Sequence, residues 1–233
     1  MITLTPRLAA VARYVLPGRP LADIGTDHAY LPAHLVQTGI IPRAIAADIL
    51  PGPLDAARST VETEGLAQRI ELRLGNGLAV LEHPDEAPTV TICGMGGPLI
   101  AEILEAGPLA GVERLVLQPM GGEERLRLWL AANGWRIIDE ALAEDAGRLY
   151  VILAAECGSM ALTEAEAWLG PILLRRADPL LADYAEAVAG LARKALEGAR
   201  QSQRPEARTR AIHLEERIRF LEEVIARVRT DHR

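Results

Sequence analysis

Cysteine is scarce in this 233-residue sequence: Cys93 and Cys157 stand alone, far apart and in unlike contexts. That excludes a disulfide framework and a multi-cysteine zinc site, and it leads us to expect a reducing, cytoplasmic compartment. No His, Cys and carboxylate group has ligand spacing, so no metal is expected. No run reaches the ~18 apolar residues that a membrane span needs. The apolar start, residues 8–16, follows Arg7 and contains Arg13, so neither a signal peptide nor an anchor is expected. Lysine is almost missing, Lys194 being the only one among 25 Lys+Arg. Arginine makes bidentate contacts to phosphate, but genomic base composition alone produces the same skew.

What is present reads as a folded protein, with 49% hydrophobic and 24% charged residues. The net charge of −7 is unevenly divided. Residues 1–170 hold 12 of the 25 Lys+Arg and 22 of the 32 Asp+Glu, a balance of −10, whereas residues 171–233 are at +3. An acidic body with a basic tail suits a polyanion reached through the tail and argues against indiscriminate nucleic-acid affinity.

Up to about residue 155, short β-branched runs alternate with helical stretches, the pattern of a parallel sheet covered on both faces. Strands are expected at Leu21 to Gly25, Ala44 to Asp48, Ile70 to Leu74, Thr89 to Cys93, Arg114 to Gln118, Arg136 to Leu142 and Leu149 to Ala155. Between the last two, residues 140–147 read as a polar turn, which makes an antiparallel hairpin at the sheet edge. Two domains are expected, 1–160 and 161–233. In the second, Leu181, Tyr184, Val188, Leu191 and Ala195 step at helical spacing, as do Ala211, Leu214, Ile218, Leu221, Ile225 and Val228. Pro205 is expected in the first turn of the second helix, completing a helical coiled-coil hairpin. Such short arms leave a monomer and a weak homodimer both open.

Doubly wound sheets bind ligands beyond the carboxyl ends of their strands. The first such tip, Asp23-Ile-Gly-Thr-Asp-His-Ala-Tyr-Leu-Pro32, has the single glycine Gly25 and lacks the G-x-G-x-x-G that brings backbone to a pyrophosphate. Asp23 and Asp27 would repel NAD phosphates but suit the ammonium and sulfonium of S-adenosylmethionine, although Asp27 also suits a helix N-cap. Asp48 ends the second strand, where a carboxylate binds both ribose hydroxyls or caps the helix that follows. Asn76 could bond an adenine edge, with Gly77 allowing close backbone approach. Ile92-Cys-Gly-Met-Gly-Gly97 puts three glycines at a central strand tip, as close approach of a ligand or flat substrate would require. Leu117-Gln-Pro-Met-Gly-Gly122 faces the same rim.

These motifs, together with residues 126–130, Glu144-Asp145 before Tyr150 and the helical tail, resemble the bacterial TrmK-type tRNA methyltransferases. Those enzymes methylate N1 of adenine 22 in the D-arm with S-adenosylmethionine. The resemblance implies an α/β Rossmann-like class I methyltransferase domain with a seven-stranded sheet, followed by a helical domain that helps hold tRNA. It implies that Asp23, Gly25, Asp48, Asn76, Gly77, Cys93 and Gly94 bind the cofactor, and that Asp27 is catalytic. His28, Tyr30, Met95, Gly96, Gln118 and Pro119 would meet the substrate base, and Arg200, Arg204, Arg208 and Arg210 the tRNA phosphates. Three positions depart from the family pattern: Thr26 for Ser, Asn76 for Asp, and Met120 for an Asn. A thioether cannot grip a base edge as Asn does. Other readings are a methyltransferase of this architecture acting on another RNA, a protein or a small molecule, and a non-catalytic S-adenosylmethionine-binding scaffold.

Overall fold

Thr5 and Pro6 start the first helix as a cap and N1 proline should, with the Thr5 hydroxyl accepting the Leu8 N–H. The computed structural model describes every residue except Gln203, His232 and Arg233. After α1 (Pro6–Ala12) come β1 (Leu21–Ile24), α2 (Tyr30–Gln37), β2 (Ala44–Asp48), α3 (Pro51–Thr63) and β3 (Ile70–Leu74). A 3-10 turn (Gly77–Val80) leads to β4 (Thr89–Met95), α4 (Gly97–Ala106), β5 (Arg114–Pro119), α5 (Glu123–Ala132), β6 (Trp135–Asp145) and β7 (Arg148–Cys157).

Among the described residues these strands form one seven-stranded sheet, in the order β3-β2-β1-β4-β5-β7-β6. Pairing is parallel from β3 through β5 and antiparallel at β5–β7 and β6–β7. The order reverses between β1 and β4, so the loops after these two strands flank the switch point of a doubly wound Rossmann-like sheet. β1 is buried at all four positions, as expected of a strand covered on both faces.

The antiparallel edge hairpin is present as expected, but its turn is shorter. Residues 140–145 are strand, and the turn is Ala146-Gly147, both at positive φ (49° and 73°), the backbone of a type I′ hairpin. A register shift between Ile137 and Asp139 turns Glu140 inward. There it accepts a 2.8 Å hydrogen bond from Arg127 Nε on α5, with both side chains fully buried.

The chain divides into two compact units, Met1–Ala161 and Leu162–Arg233. The second begins with α6 (Glu164–Leu169), opened by a Thr163/Glu166 capping box, and α7 (Pro171–Arg176). Then α8 (Leu181–Gln201) and α9 (Ala207–Asp231) pack together. Arg193 reaches Glu222 while Arg200 reaches Glu215, so the two helices run antiparallel. The seam is in part the one expected. Leu181, Tyr184 and Val188 are buried, but Leu191 is 69% exposed, and Leu196 with alanines 182, 185, 189, 192 and 199 is buried in addition. On α9, Leu221, Val224, Ile225 and Val228 are buried, whereas Ala211, Leu214 and Ile218 are only partly so. Pro205 lies two residues ahead of α9 rather than within its first turn. Among the described residues, no helix is long and apolar enough to cross a membrane.

Candidate active site at the carboxyl rim of the sheet

The loop after β1 is tied by its backbone to β2. The Gly25 and Thr26 N–H groups both donate to the Ala47 carbonyl, at 2.8 and 3.0 Å. The chain then turns through left-handed conformations at Gly25, Asp27 and Ala29 (φ 73°, 53° and 54°). Two such non-glycine residues in one short loop cost on the order of 1–3 kcal/mol each. The cap of α2 is Ala29, with no side-chain capping bond, so Asp27 is not the N-cap. Its side chain is 71% exposed, with Oδ1 3.7 Å from His28 Nε2. His28 and Tyr30 stack with ring centroids 5.1 Å apart and planes 9° from parallel. Asp48 ties the neighbouring tip together: Oδ1 accepts the Leu50 N–H at 3.0 Å and Oδ2 the Asp27 N–H at 3.4 Å.

Asp23 is buried, with its two oxygens already bonded to hydroxyls, Oδ1 to Thr91 (2.6 Å) and Oδ2 to Thr26 (2.7 Å). Burial pushes its carboxyl above the usual carboxylate range, the two hydroxyls pull it back, and the charge of Asp48 pushes it further up. Burial, reinforced by Asp23, also raises the Cys93 thiol far above its ordinary value, so Cys93 stays a neutral thiol and not a nucleophile.

The tips of β4 and β5 are stitched to each other. The Met120 N–H donates to the Met95 carbonyl (2.8 Å) and the Gly97 N–H to the Gly121 carbonyl (2.7 Å). The three glycines differ: backbone geometry requires two of them and not the third. At Gly94, φ is 76° and open space surrounds the missing side chain. A Cβ on Gly97 would lie 2.3 Å from the Gly122 carbonyl oxygen, so that glycine serves packing between loops. Gly96 has φ −63° and room for a methyl. Gly97→Ala should destabilise the protein by about 1–3 kcal/mol and Gly96→Ala by under about 0.5 kcal/mol, read by thermal melts of the two variants. Met95 lies across the first loop, its Cε 2.0 Å from where a Gly25 Cβ would be.

Gln118, expected at the substrate, is instead fully buried and engaged inside the protein. Its Oε1 accepts from Arg7 Nη1 (2.6 Å) and the Gly94 N–H (3.2 Å), while Nε2 donates to the Pro119 carbonyl (2.7 Å). Met120 is half exposed at the same tip, with its sulfur 3.6 Å from that Nε2. Asn76 is exposed with no side-chain capping bond, beside Gly77 at φ 55°. They border a cleft of about 330 Å³ with Leu99 and Ile103 of α4.

Sequence reasoning missed two features. Ile49, Leu50, Leu74, Leu99 and Met120 are large apolar side chains left exposed just beyond the strands or at the first turn of a helix. Their signal is position, each within a few residues of a strand's end. The other is Arg7, whose distance in sequence hid it. On the second unit, Arg200 is paired with Glu215 (2.8 Å), whereas Arg204, Arg208 and Arg210 are exposed near the bend. Arg204 and Arg210 border a cleft of about 550 Å³.

The family model described as TrmK, tRNA (adenine(22)-N(1))-methyltransferase, matches residues 21–223. The chain belongs to this family. It is 45% identical over 159 residues to the tRNA (adenine(22)-N(1))-methyltransferase of Bacillus subtilis, a match spanning 67% of this chain and 66% of that protein, just under two thirds of its length. The crystal structure of Bacillus subtilis TrmK superposes with a TM-score of 0.88 at 36% identity, covering 97% of this chain and all of that one. Streptococcus pneumoniae Sp1610 in complex with S-adenosyl-L-methionine gives 0.85 at 40%, covering 97% and 100%. Mycoplasma capricolum TrmK in complex with S-adenosyl-homocysteine gives 0.80 at 29%, covering 96% and 98%. Within the TrmK family, then, this chain has the sheet, the switch-point rim and the helical hairpin in common with structures that hold the methyl donor or its product.

Proposed function

We propose that this TrmK-family chain transfers the methyl group of S-adenosylmethionine to N1 of adenine 22 in the D-arm of bacterial tRNA. The observation that carries the reading is the acidic switch point. Asp23, Asp27 and Asp48 converge where a phosphate-bearing coenzyme would need bare backbone, and a donor with a sulfonium and an ammonium fits that charge. Asp48 would hold the ribose, Asn76 and Gly77 the adenine edge between Ile49 and Leu74, and Asp23, Gly25, Cys93 and Gly94 the methionine end. When bound, the cofactor supplies an electrophilic methyl group on sulfur.

The protein's own residues do the rest. Adenine N1 is a lone-pair nucleophile, so holding it in line, roughly 3–3.5 Å from the methyl carbon, supplies most of the acceleration. Attack makes the ring cationic. Asp27, exposed and unbound by any cap, stabilises that charge and accepts the proton from the exocyclic amine. The stacked His28 and Tyr30 offer a flat face for the base, and the backbone from Gly94 to Gly96 accepts from its amine. Met95 and Pro119 wall the slot, while Gln118 positions Gly94 rather than touching the base. Extracting the base from a folded tRNA costs a few kcal/mol, which Arg204, Arg208 and Arg210 offset through phosphate contacts.

In this reading the protein works in the cytoplasm, as a monomer or weak homodimer, with tRNA as its macromolecular partner. Incubation with methyl-labelled cofactor and bulk bacterial tRNA should put label in the tRNA; label that stays out of RNA overturns the proposal. Neutralising Arg204, Arg208 and Arg210 together should reduce the slope of log K for tRNA against log salt by about 2. Arg200→Ala should change it less, because Glu215 already pairs that side chain.

A further inference from the structure

We infer that Arg7, on the first helix, is a clamp for the carboxylate of the cofactor's methionine moiety. The inference rests on the rim being an S-adenosylmethionine site. Arg7 lies outside the 21–223 stretch that the family model matches, and the fold brings it to the rim from 111 residues away in sequence from its partner Gln118.

Two neutral groups fix its guanidinium. Nη1 donates to Gln118 Oε1 at 2.6 Å, and Cζ stands 5.6 Å from the centroid of the Tyr150 ring. Among the described residues no carboxylate forms an ion pair with it, although its charge acts on both Asp23 and Cys93. Asp23 accepts the Thr26 and Thr91 hydroxyls and acts on Arg7 only through its charge. A half-buried guanidinium oriented by an amide and a ring keeps its full charge and its remaining N–H donors for an anion.

The ligand's chemistry meets that need. S-adenosylmethionine carries two positive groups, which the carboxylates of the rim attract, and one carboxylate, which they repel. Arg7 is placed to resolve the mismatch. Because Gln118 Oε1 accepts from both Arg7 and the Gly94 N–H, an anion drawn to Arg7 is also registered against the tip of β4, beside the methyl-transfer slot. Arg7 is in this sense a positioning residue as well as a ligand.

The test is calorimetric binding of S-adenosylmethionine and of decarboxylated S-adenosylmethionine, which keeps the sulfonium and the amine, to the full chain. The native protein should bind the decarboxylated compound about 10–100-fold more weakly. In Arg7→Met the two affinities should fall within about threefold of each other, with Arg7→Lys in between. Melting without ligand monitors folding, and if Arg7→Met does not melt cooperatively, Arg7→Gln and Arg7→Lys provide the ratio. Unaltered discrimination in the variants, or equal weakening of both ligands, overturns the clamp. A native protein that binds both ligands equally also overturns it, whereas one that binds neither overturns the reading of the rim itself.

Discussion

Asp27→Asn should slow methyl transfer to tRNA by about 10²–10⁴-fold while leaving S-adenosylmethionine affinity within about threefold of native. The expectation combines three observations. Asp27 has φ 53°, which Asn tolerates at least as well as Asp, so the loop keeps its shape. Its side chain is exposed and caps no helix, so no fold-stabilising bond is lost. Its backbone N–H, not its carboxylate, is what reaches Asp48, so the tip of β2 is untouched. Single-turnover transfer and cofactor titration on the same preparation separate the two effects. Transfer at the native rate would remove Asp27 from the chemistry, and parallel loss of cofactor affinity would make it a binding residue.

The largest effect on stability is expected at the edge hairpin. Glu140→Ala removes the buried carboxylate that Arg127 Nε bonds, a loss of about 3–5 kcal/mol, which chemical denaturation would read as a lower midpoint at unchanged slope. Replacing both members, Arg127→Met with Glu140→Leu, should recover most of the loss, because the cost arises from an unmatched charge rather than from a missing attraction. A double variant as unstable as Glu140→Ala would show that the pair is needed for its shape.

That pair also marks where the sequence stops being legible. The parallel strands announce themselves locally: β1 is Leu-Ala-Asp-Ile and β5 begins Arg-Leu-Val-Leu, runs that only a sheet buried on both faces accommodates. Residues 140–145, by contrast, carry three acids in six positions and look like a turn. Their strand conformation depends on a shift of register after Ile137 and on an arginine from α5, both tertiary facts. The helical tail follows the same logic. Leu181, Tyr184 and Val188 fit the apolar period and are buried, whereas Leu191 fits it and faces solvent, with Ala189 and Ala192 buried on either side of it.

At the rim, the topology rule directed attention to the loops that follow the parallel strands, since every strand tip is visible as a break in an apolar run. What it could not supply was the direction of side chains. Gln118 stands at such a tip yet is wholly buried, because Arg7 and the Gly94 amide draw it inward. Gly97 looks identical to Gly94 in sequence, but only the backbone of Gly122 explains it. Leu74, at the end of β3, and Ile49, just past the end of β2, read as ordinary core until their exposure is seen.

The atom that receives the methyl group is read by primer extension on a defined tRNA transcript treated with the protein and S-adenosylmethionine. Methylation at N1 blocks the Watson–Crick edge, so reverse transcriptase should halt at position 22, and a transcript with guanosine at that position should show no halt and take up no methyl group. A halt elsewhere, or equal uptake of methyl groups by the guanosine transcript, would contradict the account.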